Sequence, residues 1–404
     1  MPSLRGLKDS ILSLARWYEN RILKHSLNET ARAGKPAYIF LDEVQNLNDW
    51  APQIKALVDQ NTVKVLVTGS SALRIEAGRD SLAGRITTVE LGTLLLREIA
   101  EIGLQESLQP FLPENGLEPL LRQEFWKDLH AHGVAHKDLR DRAFKAFSLR
   151  GGYPMAQANP EVPWSEIADQ LNETVVKRAI QHDLRMGARG KRRDQQLLEE
   201  VYRLACRYAG QSPGRDIFVQ EVKQLLEGGV GWTRILAYLR FLDGALLIKL
   251  IHPMELRLKR RKGNDKICLC DHALRASWLQ EIIPLHDEGL KEATHLSDLA
   301  GHIAESAVGY YLSSLPHLDL AHFPTRAVEP EIDFVLTVGD KRIPLEVKYR
   351  RRIDPHSDTL GIRSFIEKSV YNAPFGILVT LLDDVPIPDP RIVSISLPSL
   401  LLMR

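Results

Sequence analysis

The stretch Glu331–Arg350 constrains the fold most tightly, because it fixes both a hairpin and its register. Two β-rich runs, Glu331–Val338 and Arg342–Arg350, flank Gly339-Asp340. A two-residue loop with glycine first favours a tight hairpin. Position 338 then faces 341, and counting back puts Leu336 opposite Ile343, Phe334 opposite Leu345 and Ile332 opposite Val347. That face is wholly apolar, and a slip of one residue would turn it to the other side. Val335 faces Pro344 at a position where the missing N–H costs nothing. The remaining positions set Asp333 against Glu346 and Lys348 against Glu331. Like charges directly opposite repel, so a hairpin needing only stability would avoid Asp333 against Glu346. A divalent cation between them would offset the repulsion, with Lys348 placed to position water or phosphate.

A chain of 404 residues exceeds one ordinary core and points to about two to three domains. The composition, 44% hydrophobic and 26% charged, is that of a globular chain. Lys+Arg 53 against Asp+Glu 52 leaves a net charge of +1, so any nucleic-acid surface must be a local patch. Three cysteines, Cys206, Cys268 and Cys270, are too few for a disulfide framework, and the Cys268/Cys270 pair lacks a second pair for zinc. No run reaches the ~18 apolar residues of a membrane span, and the charged amphipathic N-terminus has no signal core. A reducing cytoplasm and no membrane contact are expected. His130, His132 and His136 lie in a polar helical stretch and read as surface residues.

Helical spacing covers 7–33 (Leu7, Ile11, Leu14, Tyr18, Ile22), stopped by Gly34-Lys35-Pro36. Tyr38–Leu41 and Val63–Val67 then flank a helical stretch, Trp50–Gln60, which requires a parallel pair with a crossover. Ile86–Leu91 reads as a third strand. Residues 95–185 read as mostly helical, with breaks at Pro110–Asn115 and Gly151–Pro154. Helices at 197–208, 216–226 and 232–242 precede strands Ala245–Ile251 and Lys266–Cys270. From about 296 the pattern is helix, strand, strand, helix, strand, an α/β unit of about 110 residues.

Tyr38-Ile39-Phe40-Leu41-Asp42-Glu43 is a continuous apolar run, as in a buried parallel strand, ending in two acids. Ligands bind beyond the carboxyl ends of such strands. There Asp42 can hold Mg²⁺ and Glu43 can polarise water, the Walker B arrangement of nucleotide hydrolases. Val63–Val67 leads into Thr68-Gly69-Ser70-Ser71, whose small hydroxyls suit a γ-phosphate sensor; Arg85 reads as an arginine finger or as a surface ion pair.

Taken together, YIFLDEVQNLNDW, VLVTGSS, LAGRI and ELGTLLLREI resemble the bacterial and archaeal AAA-type ATPases that carry a C-terminal nuclease-like domain. The resemblance implies ATP and Mg²⁺ as cofactors, with Asp42 and Glu43 for metal and water, Ser70 or Ser71 as sensor and Arg85 as finger. It also implies a phosphate loop, G-x-x-x-x-G-K-[ST], before Tyr38. The sequence contains none: Gly34-Lys35 is followed by Pro36, and Gly190-Lys191 by Arg192. The family's loop strand lies inside the sheet, so its loss is expected to leave a gap, and an N-terminally truncated member is the favoured explanation over a degenerate one.

WTRILAYLRFLDGALLIKL resembles the recognition helix and first wing strand of winged helix domains. Its wing loop carries Arg257, Lys259, Arg260, Arg261 and Lys262, and a second basic cluster lies at Arg185, Arg189, Lys191, Arg192 and Arg193. DNA is the partner such patches suit, through phosphate contacts; solvated loops of a protein-binding module are the alternative. The spacing Asp333-x12-Glu346-x-Lys348 resembles the PD-(D/E)XK nucleases, with Glu305 as the additional acid of that fold. Metal is then expected at Asp42 and at Asp333 with Glu346; the alternative is a nuclease fold that keeps the charges without catalysis.

The expected fold class is multidomain α/β: a partial P-loop-type parallel sheet in an ATPase core (1–100), a helical lid or connector (101–190), a winged helix (191–290) and a restriction-endonuclease-like domain (291–404). The expected function is an ATP-binding AAA-type ATPase, weak or inactive in hydrolysis as given and associated with DNA. A metal-dependent nuclease and a non-enzymatic DNA- or protein-binding module are the alternatives, and a homo-oligomer stands as an open expectation.

Overall fold

The structure, a computed structural model, describes residues 10–44, 47, 49–69, 82–112, 116–180, 194–225, 230–255, 263–325 and 330–404. The chain is mixed α/β and forms two compact units, Met1–Leu91 and Gly92–Arg404.

In the smaller unit the expected single helix over 7–33 is broken. Helix α1 (Ser10–Tyr18) runs into a π turn, Glu19–Leu23, and stops at Lys24, whose φ is 58°. Helix α2 (Leu27–Arg32) starts afresh on a capping box: the Ser26 hydroxyl accepts the Glu29 N–H while the Glu29 carboxylate accepts the Ser26 N–H at 2.8 Å. Serine followed three residues later by glutamate was a helix start inside the apolar periodicity. Strand β1 (Ala37–Leu41), helix α3 (Trp50–Gln60) and strand β2 (Val63–Val67) form the expected crossover, in parallel register from Ala37↔Val63 to Leu41↔Val67. The strands pair directly, in a sheet of two. Trp50, Ile54 and Leu57 of α3 pack with Ile39, Leu41 and Val65.

Two further expectations fail here. The strands are not covered on both faces: Tyr38, Phe40 and Leu66 are 59%, 71% and 56% exposed, because α3 covers only the other side. Ile86–Leu91 is not a strand. Its β-branched residues favour extended backbone, but among the described residues no neighbouring strand offers a ladder.

The larger unit begins with helices α4 (Leu96–Leu104), α5 (Gln123–Ala135) and α6 (Lys137–Arg150). Helices α7 (Gln195–Arg207), α8 (Arg215–Leu225) and α9 (Trp232–Gly244) follow, leading into an antiparallel hairpin of β3 (Ile248–Ile251) and β4 (Lys266–Leu269). Helix α10 (Ser297–Ser313) then precedes a five-stranded sheet: β5 (Asp319–Phe323), β6 (Ile332–Val338), β7 (Lys341–Lys348), β8 (Gly376–Thr380) and β9 (Ile392–Ser396), in that spatial order. The first three strands are antiparallel and the last three parallel. Helix α11 (Leu360–Glu367) lies between β7 and β8 in sequence, as a parallel connection requires.

The β6–β7 hairpin has the register read from the sequence, from Val338↔Lys341 to Phe334↔Leu345, with Val335 opposite Pro344. Gly339 supplies the positive φ, 63°, of the tight turn. Phe334, Leu336, Ile343 and Leu345 pack with Ala304, Val308 and Leu312 of α10, in a core that Trp126, Leu129 and Phe144 also enter. Ile332 departs from that face and packs with Phe323 and Phe365. Among the described residues, no helix is long and apolar enough to cross a membrane.

Candidate functional site

In the smaller unit, Asp42 and Glu43 follow directly on the carboxyl end of β1. The hydroxyl of Thr68, just past the end of β2, donates to the Asp42 carboxylate. The two strand ends are tied by Thr68 N–H to Leu41 O at 2.9 Å and Val44 N–H to Thr68 O at 3.2 Å. Asp42 is exposed, whereas Glu43 is half-buried with φ 52°. A left-handed backbone at a non-glycine residue costs of order 1–3 kcal/mol and tends to occur at functional positions. Ser70 and Ser71 lie outside the described residues. Thr68 belongs to the same hydroxyl run, and its position directly after the strand is the signal that marked it. Arg85 donates to Asp59 at 2.6 Å, an exposed ion pair. Asp42 fits a Mg²⁺ ion held through water, with one oxygen engaged by Thr68 and the side chain open to solvent.

Neither basic cluster can be placed: Arg257, Lys259, Arg260, Arg261 and Lys262, and likewise Arg185, Arg189, Lys191, Arg192 and Arg193, lie outside the described residues.

In the larger unit Glu305, Asp333, Glu346 and Lys348 converge, and a residue missed in the sequence joins them. Lys266 opens β4 with its side chain 1% exposed. Its ammonium donates to the Glu305 carboxylate and to Asp333 Oδ1 at 3.2 Å, and lies 3.7 Å from Glu331 Oε1. It also sits 5.1 Å from the centroid of the Phe334 ring. Where the β6–β7 ladder ends, Asp333 Oδ2 accepts the Val347 N–H at 2.9 Å. Lys348, expected across from Glu331, donates instead to Glu346 Oε2 at 2.9 Å. The other Glu346 oxygen faces Gly361, where a Cβ would come within 2.7 Å of it. A lysine heading an apolar strand was the available signal, since a buried ammonium requires acidic partners.

Burial alone would lower Lys266, but the charges of Asp333 and Glu305 outweigh it and hold the ammonium well above its usual range. Asp333 resists the upward push of burial because Lys266 and Lys348 stabilise its charge, bringing it down to about 2. Burial, followed by the Asp333 charge, pushes Glu305 and Glu346 well above the carboxylate range. His322 of β5 is buried nearby, with its Nε2 2.9 Å from Asn264 O and no hydrogen-bond partner at Nδ1. Burial, followed by the Lys266 charge, pushes it down to about 4.

This cluster does not fit Mg²⁺ as arranged. Lys266 takes the inward carboxylate oxygens of Glu305 and Asp333, Val347 takes the second Asp333 oxygen, and Lys348 takes one from Glu346. Among the described residues no group of three or more His, Cys, Asp or Glu side chains is arranged to hold a metal ion.

No curated protein matches the chain. Among solved structures, protein VC1899 from Vibrio cholerae is similar at 13% identity over 91% of this chain and 88% of that one, with a TM-score of 0.19, too low to argue a shared fold. Residues 7–100, the stretch that carries Asp42, Glu43 and Thr68, match the family model of an AAA domain, so this part of the chain is similar to AAA-type ATPases.

Proposed function

We propose that this chain is an AAA-type ATPase-family protein whose smaller unit holds the metal- and water-handling half of a nucleotide site. The observation that carries the reading is the Asp42–Thr68 contact at the carboxyl ends of two parallel strands, within the stretch similar to an AAA domain. Asp42 would hold Mg²⁺, which supplies charge neutralisation at phosphate oxygens. Glu43 would orient water, and Thr68 fixes the Asp42 carboxylate. The sequence 1–404 contains no G-x-x-x-x-G-K-[ST] loop, and that loop supplies most phosphate contacts in this class. The chain should therefore bind MgATP weakly. Calorimetric titration of MgATP into residues 1–404 tests this: millimolar or weaker affinity that falls further in Asp42→Asn is expected. Submicromolar binding, or weak binding indifferent to Asp42→Asn, would overturn it.

A second reading concerns the C-terminal residues. The convergence of Glu305, Asp333, Glu346 and Lys348 on a five-stranded mixed sheet supports a nuclease-like scaffold. The three helices and hairpin before it support a winged helix, with DNA contact through Arg257, Lys259, Arg260, Arg261 and Lys262. Because the carboxylates do not fit a metal as arranged, the scaffold acts in binding rather than cleavage in this state. Plasmid nicking with Mn²⁺ that disappears in Asp333→Asn would overturn that assignment.

A further inference from the structure

We propose that Lys266 is the resident cation of the Glu305–Asp333 pair, and that its ammonium, rather than a divalent metal, completes this cluster. The proposal stands on the contacts alone and does not depend on the nuclease-like reading. Lys266 reaches across from the β3–β4 hairpin to α10 and β6, and Nζ meets three carboxylates: Glu305, Asp333 and Glu331. A compact cation with rotatable donors at one end of a flexible stem can be shared among several acids in this way. Its side chain is almost wholly out of water and its ammonium lies over the Phe334 ring. The place between Glu305 and Asp333 is therefore filled by the chain itself.

Two consequences follow from charge. A divalent ion entering between Glu305 and Asp333 would have to displace the ammonium from both carboxylates, leaving it only Glu331 at the edge of the cluster, and buried cations repel. Conversely, removing the ammonium takes away one of the two cations that stabilise the Asp333 charge and leaves Lys348 alone, an excess of buried acid that favours metal capture. The residue at 266 thus decides whether the cluster takes Mn²⁺ or Mg²⁺.

The test uses the full chain with Asp42→Asn as background, so that the N-terminal acid does not contribute and failure of the nucleotide reading is scored separately. Free Mn²⁺ is followed by electron paramagnetic resonance and stability by thermal unfolding. With Lys266 present, Mn²⁺ should leave the melting temperature of the larger unit unchanged. Lys266→Met should bind one Mn²⁺ per chain at least tenfold more tightly, with a melting temperature that rises with the cation, and adding Asp333→Asn should abolish both. Lys266→Arg should remain closed to Mn²⁺. Should Lys266→Met be unfolded alone, Mn²⁺ should restore its folding transition by supplying the missing charge. Mn²⁺ binding by the Lys266 chain that is lost in Asp333→Asn would overturn the proposal. So would a Lys266→Met chain that Mn²⁺ neither binds nor restores.

Discussion

His322 should make the larger unit lose stability as the pH falls through a range where most surface carboxylates stay ionised. In the folded chain its Nε2–H is committed to Asn264 O, and protonation would place a proton on a buried Nδ1 without an acceptor. The charged groups facing it are Lys266, which opposes protonation, and Asp265 and Asp333, which favour it. Burial and Lys266 win, and the ring titrates at about 4 instead of 6.5. Between pH 7.5 and 5.0 the unfolded chain therefore takes up nearly one proton here while the folded chain takes up almost none. The unfolded state binds more protons, so stability rises with pH across this window, and lowering the pH to 5.0 costs about 2 kcal/mol through this group. Glu305 and Glu346, raised by burial, contribute with the opposite sign, and the comparison must remove them. Urea unfolding at pH 7.5 and 5.0, followed by tryptophan fluorescence, should show His322→Gln losing about 2 kcal/mol less than the parent. Histidine ¹³Cε1 spectra should contain one resonance, absent in His322→Gln, that titrates near 4. Equal losses in both chains, or a midpoint at 6 or above, would refute the reasoning.

Three further outcomes are expected. Asp383, with Arg140 Nη1 at 2.8 Å from Oδ1 and Nη2 at 2.8 Å from Oδ2, has its carboxyl held well below the ordinary range by Arg140, Ser396 and Lys137 against the upward push of burial; because Arg140 keeps Asp141 as a second partner, Asp383→Asn should destabilise the larger unit by about 1.5–3 kcal/mol at pH 7 in denaturant melts. That penalty should shrink as the pH falls below the ordinary carboxylate value, because the unfolded parent takes up a proton there while folded Asp383 stays ionised. Gly309→Ala would bring a Cβ within 2.4 Å of Cys268 Sγ and 2.7 Å of Phe334 Cζ and should cost about 1–3 kcal/mol by overpacking, read as a lower urea midpoint. If the basic residues between 257 and 262 contact DNA, changing Arg257, Arg260 and Arg261 together to Ala should flatten the slope of log affinity against log salt by up to ~3 in fluorescence anisotropy, and an unchanged slope would remove the contact from these residues.

The parts of the fold legible in the sequence were those where local pattern and pairing agree. The β6–β7 register followed from one glycine and one apolar face, and the β1–α3–β2 crossover from two apolar runs around a helix. Strands β5 and β9 escaped notice. The first, Asp-Leu-Ala-His-Phe, carries an acid and a histidine whose burial depends on neighbours far away in the chain. The second, Ile-Val-Ser-Ile-Ser, has serines where the alternation needed a clearer signal; Ser394 donates to Val385 O and Ser396 to Asp383. Ile86–Leu91 failed in the opposite sense, having strand propensity without a partner. At the candidate sites, spacing brought out Asp333, Glu346 and Lys348 because they share one hairpin. Lys266 was hidden because it reaches them from a different hairpin, 67 residues before Asp333, and no local pattern encodes that meeting.

The Arg140–Asp383 pair also bears on how the chain is made. The partners are separated by 243 residues, and the core that Leu96, Trp126 and Phe144 enter is completed by Ile377, Ile395 and Leu400. At about 5–20 residues per second, a ribosome needs roughly 10–50 s to travel from one partner to the other. Throughout that interval α5 and α6 have been synthesised with their apolar faces uncovered and a guanidinium destined for burial that has Asp141 beside it but still lacks Asp383. The larger unit therefore cannot close progressively from its N-terminal end. Its first helices wait for its last strands, and through that delay they are natural clients for chaperones.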